Sequence, residues 1–262
     1  MFELLCQDLS HGNRLRAVKT DVGLQLVDDV LSLPLDREWT NSTVPIQTIN
    51  DLHFPNVKYT ALWFDDERGN LYSFGGAGPH EDDAGAGFDE TIWHLDPDGE
   101  GGGFWWTAVT ENSPERASEA GYAACGNTGY VLGGIVNQFT DESYDFKDDK
   151  PYEGFYSFRQ VYDKWAWVKK DSSDFNTPYG TYRSGRAACG SVGDSDPLLF
   201  AFGGRAAKAR GQSHMYMPFD KLYFYDTKAD TWHLQTTRGD IPPSRSYFCA
   251  VGTESPSGTY EM

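Results

Sequence analysis

Glycine pairs, tryptophans and cysteines recur along this chain at one shared interval, near 60 residues. The glycine pairs are Gly75-Gly76, Gly133-Gly134 and Gly203-Gly204, each preceded by apolar and aromatic residues. A tryptophan late in each unit falls at Trp39, Trp106, Trp167 and Trp232, with spacings of 67, 61 and 65. Cysteine returns at Cys125, Cys189 and Cys249, 64 and 60 residues apart. A period of this size marks stacked supersecondary units, each unable to bury its own faces alone.

One whole unit lies between Arg186 and Leu234. It opens with Arg186-Ala-Ala-Cys189-Gly190 and continues with Leu198-Leu-Phe-Ala-Phe202 before the glycine pair. After a polar loop come Lys221-Leu-Tyr-Phe-Tyr-Asp226, a short turn, and Thr231-Trp-His-Leu234. Short runs rich in Leu, Phe and Tyr, bounded by Gly, Asp or Pro, read as strands. Four in succession, with no helical period between them, make an antiparallel meander.

A strand closing on Gly-Gly, an aromatic strand ending in Asp226 and a tryptophan six residues later resemble the kelch repeat. The run Trp39-Thr-Asn-Ser-Thr-Val-Pro-Ile46, followed by Ala61-Leu-Trp-Phe-Asp65, is similar to kelch-repeat proteins of filamentous fungi, and the chain as a whole resembles galactose oxidase-like propeller proteins. The resemblance covers residues 29–262 and implies an all-β, kelch-type β-propeller with four-stranded antiparallel blades. Full blades are expected at about 58–110, 113–170 and 177–237, with half blades at 29–50 and 241–262. Residues 1–24 read as an irregular leader, and 25–262 as the propeller. The two halves are complementary, which would permit closure into four blades. Kelch propellers more often have six or seven, so the count favours an incomplete propeller over a closed four-blade ring.

Acidic residues outnumber basic ones, 39 to 22, for a net charge of −17. Such a surface repels phosphate backbones and anionic membranes, so nucleic acid is not an expected partner. The first nine residues lack the basic start and apolar core of a secretory signal. No run of 18 apolar residues is present to span a membrane. The default location is therefore cytoplasmic, although resembling proteins are often exported or membrane-anchored. The sequon at Asn41 is a glycosylation candidate in an exported chain only. Cys125, Cys189 and Cys249 share a register in successive repeats, and such positions are expected to lie beyond the about 7 Å Cα limit of a bridge. They read as buried apolar residues, which leaves the redox compartment open.

The glycine pairs are read as points of close backbone approach with positive φ. Trp106, Trp167 and Trp232 are read as seals between blades. The histidines show no metal-ligand spacing, and Asp96, Asp98 and Glu100 read as a turn, so no metal or cofactor is expected. The tyrosine, cysteine and histidine set of the copper-radical oxidases cannot be assigned, and the arginine cluster that sialidases need is not evident. What remains is the set of loops after the glycine pairs. The candidates there are His80, Glu81, Asp82, Asp83, Asp145, Asp148, Asp149, Arg205, Lys208, Arg210 and Tyr216. The expected function is a non-catalytic module binding a protein partner through these loops, one carrying a basic patch. The alternative is a fragment of a propeller enzyme, a carbohydrate oxidase or glycan hydrolase, whose catalytic blades lie elsewhere.

Overall fold

The computed structural model describes residues 18–20, 23–25, 30–32, 38–40, 42–49, 54, 57–78, 91–98, 103–108, 110–161, 164–175, 177–178, 180–191, 196–248, 250, 253–254 and 260–261. Regular structure among them is entirely β. Blade one is formed by Ala61–Asp65, Asn70–Phe74, Ile92–Pro97 and Gly103–Ala108. Blade two is Gly121–Cys125, Thr128–Leu132, Phe155–Val161 and Lys164–Lys169. Blade three is Arg186–Gly190, Leu198–Phe202, Lys221–Asp226 and Thr231–Thr236. In each blade the four strands pair antiparallel in chain order. Hairpin turns begin on aspartates for a stereochemical reason. Asp65 Oδ1 accepts the amides of Glu67 (3.0 Å) and Arg68 (3.2 Å), and Asp226 Oδ1 those of Lys228 (2.9 Å) and Ala229 (2.8 Å).

The blades radiate from an axis lined by their first strands, which stand side by side from one blade to the next. This arrangement overturns the expectation that the repeated cysteines lie too far apart to bond. Cys125 and Cys189 form a disulfide, with Cα atoms 5.4 Å apart. Equivalent positions diverge at the rim but converge at the hub, and both cysteines sit on hub strands. Tyr122 and Arg186, another equivalent pair, meet in the same way, with the guanidinium 5.8 Å from the ring centroid. Cys249 lies outside the described residues.

Aromatic side chains fill the wedges between blades. Trp63, Tyr72 and Phe74 of blade one pack against Phe158 and Trp167 of blade two, with the Phe74–Trp167 centroids 4.6 Å apart. Tyr130 and Phe155 of blade two meet Tyr225 and Trp232 of blade three, with Phe155 and Trp232 at 5.1 Å. Each fourth-strand tryptophan thus faces the preceding blade. In blade one that residue is Trp105, 7% exposed and set against Phe54 at 4.2 Å. Trp106, the expected seal, is 55% exposed. Adjacent residues on a strand point to opposite faces, so taking the wrong member of a Trp-Trp pair reverses the assignment.

All six paired glycines have positive φ. A Cβ on Gly133 would overlap the carbonyl oxygen of Tyr182, and one on Gly75 that of Ala117, both in the next unit. The second glycine of each pair ties the blades together through its amide. Gly76 donates to Ala117 O (2.9 Å), Gly134 to Tyr182 O (2.8 Å) and Gly204 to Arg245 O (2.7 Å).

The flanking segments differ in detail from their expected strands. Val30–Ser32 pairs with Gln47–Ile49, displaced from the 39–46 stretch. Thr40 and Thr43 close a turn there instead (N–H to O, 3.0 Å), and Trp39 is exposed. Toward the other end, within the 241–262 segment, Thr253–Glu254 pairs antiparallel with Tyr260–Glu261. The residues that follow the glycine pairs are also not simple surface loop. Ile135–Val136 pairs with Lys150–Pro151, and Arg205–Ala207 with both Thr181–Arg183 and Met215–Tyr216.

Candidate functional site: the hub and the loop face

The loops after the glycine pairs and the linkers between blades emerge at the same end of the molecule, because a four-strand meander places both there. Each linker kinks two residues before the first strand of its blade. The kink residues are Tyr59, Glu119 and Ser184, joined by Tyr247 of the following unit, with φ of 58°, 60°, 54° and 53°. Positive φ is uncommon outside glycine. Here it is held by a chain of backbone bonds circling the axis. The Glu119 amide donates to Tyr59 O (3.2 Å), Ser184 to Glu119 O (2.7 Å), and Tyr247 to Ser184 O (3.0 Å).

The kink turns side chains into the hub, where Glu119 is the centre of a buried network. Its side chain is 8% exposed, and Oε2 stands 3.4 Å from Arg183 Nε and 3.2 Å from Arg205 Nη2. Tyr247 donates its phenolic hydrogen to Oε1 at 2.6 Å, and Ser184 Oγ donates to Oε2. Arg205 also reaches Ser184 Oγ (3.0 Å), the Tyr247 hydroxyl and His214 Nε2 (3.0 Å). Arg183 donates to Asp149 Oδ2 at 2.8 Å, and Asn137 Nδ2 to Asp149 Oδ1 at 3.1 Å. Buried charges are tolerable only when paired and hydrogen-bonded, and these are.

The acid–base properties follow from that crowding. Burial and then Glu119 hold the Tyr59 hydroxyl up to about 12. Burial and Glu119 likewise raise Tyr247. Burial, with Arg205 and Arg183 close by, pushes His214 below its ordinary value. Burial lowers Lys58, against the opposing pull of Glu119 and Asp149.

The loop candidates divide into separate environments. His80, Glu81, Asp82 and Asp83, and the sequon Asn41, lie outside the described residues. Asp145 and Asp148 are exposed. Asp149 belongs to the hub network. Arg205 is a correction as a loop cation: it is 9% exposed and held in the same network. Lys208 and Arg210 are exposed and share a cleft of about 830 Å³ with Lys150 and Lys169, between the loops of blades two and three. Tyr216 is 52% exposed beside Met215 at 56%. The two loops touch, since the Gly211 amide donates to Asp149 O (3.2 Å) and the Arg210 guanidinium lies 4.7 Å from the Phe146 ring centroid.

Sequence reasoning missed Glu119, Arg183, Ser184 and Tyr247. A signal was present. Tyr59, Glu119, Ser184 and Tyr247 are 60, 65 and 63 residues apart, the same period as the other markers, but no one residue type recurs at all four. Among the described residues no group of three or more His, Cys, Asp or Glu is arranged to hold a metal ion. Nor, among them, is any helix long and apolar enough to cross a membrane.

No protein-family model matches the chain. Over 80 residues, 28% of its length, it is 36% identical to Kelch domain-containing protein 2 of Bos taurus and 35% identical to that of Homo sapiens. The matched stretch spans only 20% of each of those proteins. Among solved structures, that of YjhT superposes with a TM-score of 0.59 over 93% of this chain and 74% of the other. At 14% identity, that likeness is one of fold alone.

Proposed function

This chain is a kelch-repeat protein with a kelch-type propeller fold, and from that premise we propose that it is a non-catalytic interaction module binding a protein partner on its loop face. One observation carries the reading. The insertions after Gly134 and Gly204 are braced against each other at their base, yet present Met215, Tyr216, Lys208 and Arg210 to solvent. Long, structurally supported loops with exposed aromatic and apolar side chains are where rigid scaffolds commonly place binding residues.

The hub bears on the enzyme alternative. A phenol, a carboxylate and two arginines are groups that a glycan-cleaving centre would use. Here Glu119 is 8% exposed and both of its oxygens are engaged by protein partners. A substrate would have to displace that network, which supports a structural role for it.

The test is site-directed photo-crosslinking in the native cell type. A photoreactive residue at Tyr216 or Lys208 should capture one specific protein, whereas one at Lys228, on the opposite end, should not. Capture confined to Lys228 would place the interaction elsewhere and end this reading.

A further inference from the structure

The cleft between the loops of blades two and three has a charge opposite to that of the chain. Its walls carry Lys150, Lys169, Lys208 and Arg210 against two carboxylates, Glu115 and Glu153. The protein as a whole has a net charge of −17. Both carboxylates are engaged by hydroxyl donors, Glu115 by Tyr144 (2.8 Å) and Glu153 by Thr181 (3.3 Å). None of the four cations makes an ion pair with a described residue. Arg183, Arg205, Lys170 and Lys228, by contrast, are each paired with a carboxylate. In a chain with carboxylates in such excess, four neighbouring exposed cations without a carboxylate partner among the described residues are not a random surface.

The cleft is also shaped. Tyr152 and Tyr156 stack with an interplanar angle of 2° and share a hydrogen bond between their hydroxyls at 3.2 Å. Gly154 lies between them, and a Cβ there would run into both rings. Phe146 supports Arg210 from beneath, which leaves the guanidinium edge free to donate. The result is a half-buried aromatic wall with cations around it, built on the paired strands Ile135–Val136 and Lys150–Pro151.

We propose that this cleft binds an acidic peptide segment of the partner, its carboxylates meeting the lysines and Arg210 while its backbone lies along the tyrosines. The proposal rests on the interaction-module reading and names the partner's chemistry. A short acidic segment is favoured over an extended polyanion because of range. Screening confines the local positive field to about 8 Å, so a duplex or an anionic membrane would mostly meet the surrounding negative surface. A segment that stays within the cleft would not. This reverses the expectation of a basic partner, which rested on acidic loops now seen in part to be engaged by the hub.

The probe is a short fluorescein-labelled peptide of glutamate and aspartate with a central tyrosine, read by fluorescence anisotropy. Its glutamine and asparagine counterpart is the neutral control. The acidic peptide should bind, the neutral one should not, and affinity should fall as salt rises. A Lys169→Glu, Lys208→Glu double variant should weaken binding about tenfold or more. Lys228→Glu at the opposite end should leave it unchanged, and Lys208→Gln provides a milder variant on the intact fold. Absence of acidic-peptide binding, equal binding of the neutral peptide, or indifference to the double reversal would overturn the proposal. If crosslinking places a partner at Tyr216 while the double reversal leaves its capture intact, the cleft assignment falls and the module reading stands. If partner capture occurs only from Lys228, the module reading falls on its own evidence, and the peptide titration still decides the cleft.

Discussion

Cys125 and Cys189 stand on the first strands of neighbouring blades with their Cα atoms 5.4 Å apart, joined by a disulfide that spans 64 residues of sequence. The bond ties blade two to blade three at the hub, adding a covalent link to the aromatic packing, backbone bonds and Glu119 network that join them there. Closing a loop of this length restricts the unfolded chain and is worth about 2–4 kcal/mol. Reduction under native conditions should therefore lower the melting temperature. Peptide mapping without reductant should recover the Cys125 and Cys189 peptides linked. A protein whose two thiols alkylate freely when prepared without reductant would contradict the bridge.

The paired tryptophans of blade one offer a direct check on register. Trp105→Ala removes a buried indole and should cost about 3–5 kcal/mol, as should Trp232→Ala. Trp106→Ala, on the exposed face of the same strand, should change stability by no more than about 0.5 kcal/mol. Chemical denaturation of the three variants measures this. Equal losses at Trp105 and Trp106 would mean that the strand does not present opposite faces to core and solvent.

Glu119 lies between the guanidinium groups of Arg183 and Arg205 and, among the described residues, is the buried carboxylate that both of them pair with. Glu119→Ala would leave Arg183 and Arg205 facing each other in a site from which water is largely excluded, at a cost of about 3–5 kcal/mol. The exposed pair of Lys228 and Asp196 is the natural contrast, and Lys228→Ala should leave the melt unchanged. Indifference to Glu119→Ala would show that water already reaches the hub.

His214 accepts a hydrogen bond from Arg205 at Nε2, so the ring must be neutral there. Burial and Arg205 lower its folded value beneath the ordinary 6.5. The unfolded chain then binds the proton more readily. The contribution is fully present above about pH 6.5 and is lost as pH falls toward the lower folded value. Melting temperature should decline between pH 7.5 and 5.5, more in the parent than in His214→Gln. Parallel declines would remove His214 as the source.

Much of the fold was legible in the chain because the repeat imposes one-dimensional demands. Each blade needs four short strands and a pair of residues that tolerate positive φ where backbones meet, and blades one and three close a hairpin on an aspartate. Gly133-Gly134 and Asp226 carry those demands in their own chemistry. The face of a strand is harder to read, because parity decides it: Trp105 and Trp106 are chemically identical, and only the pairing of Leu95 with Trp105 selects the inner one.

The candidate site was legible only in part. Lys208 and Arg210 were found as loop cations, but Arg205, three residues before Lys208, proved to be a buried hub residue. Glu119 and Tyr247 are 128 residues apart and share no residue type, so nothing local connects them. The sequence by itself determined the repeat, its strands and its glycine hinges, since these depend on periodicity and on the backbone freedom of single residues. Tertiary structure alone decided the Cys125–Cys189 bond, the Glu119 network and the basic cleft. Stacking blades about an axis brings equivalent positions of different repeats within bonding distance at the hub, and that convergence is a property of the stacked blades and of no single segment.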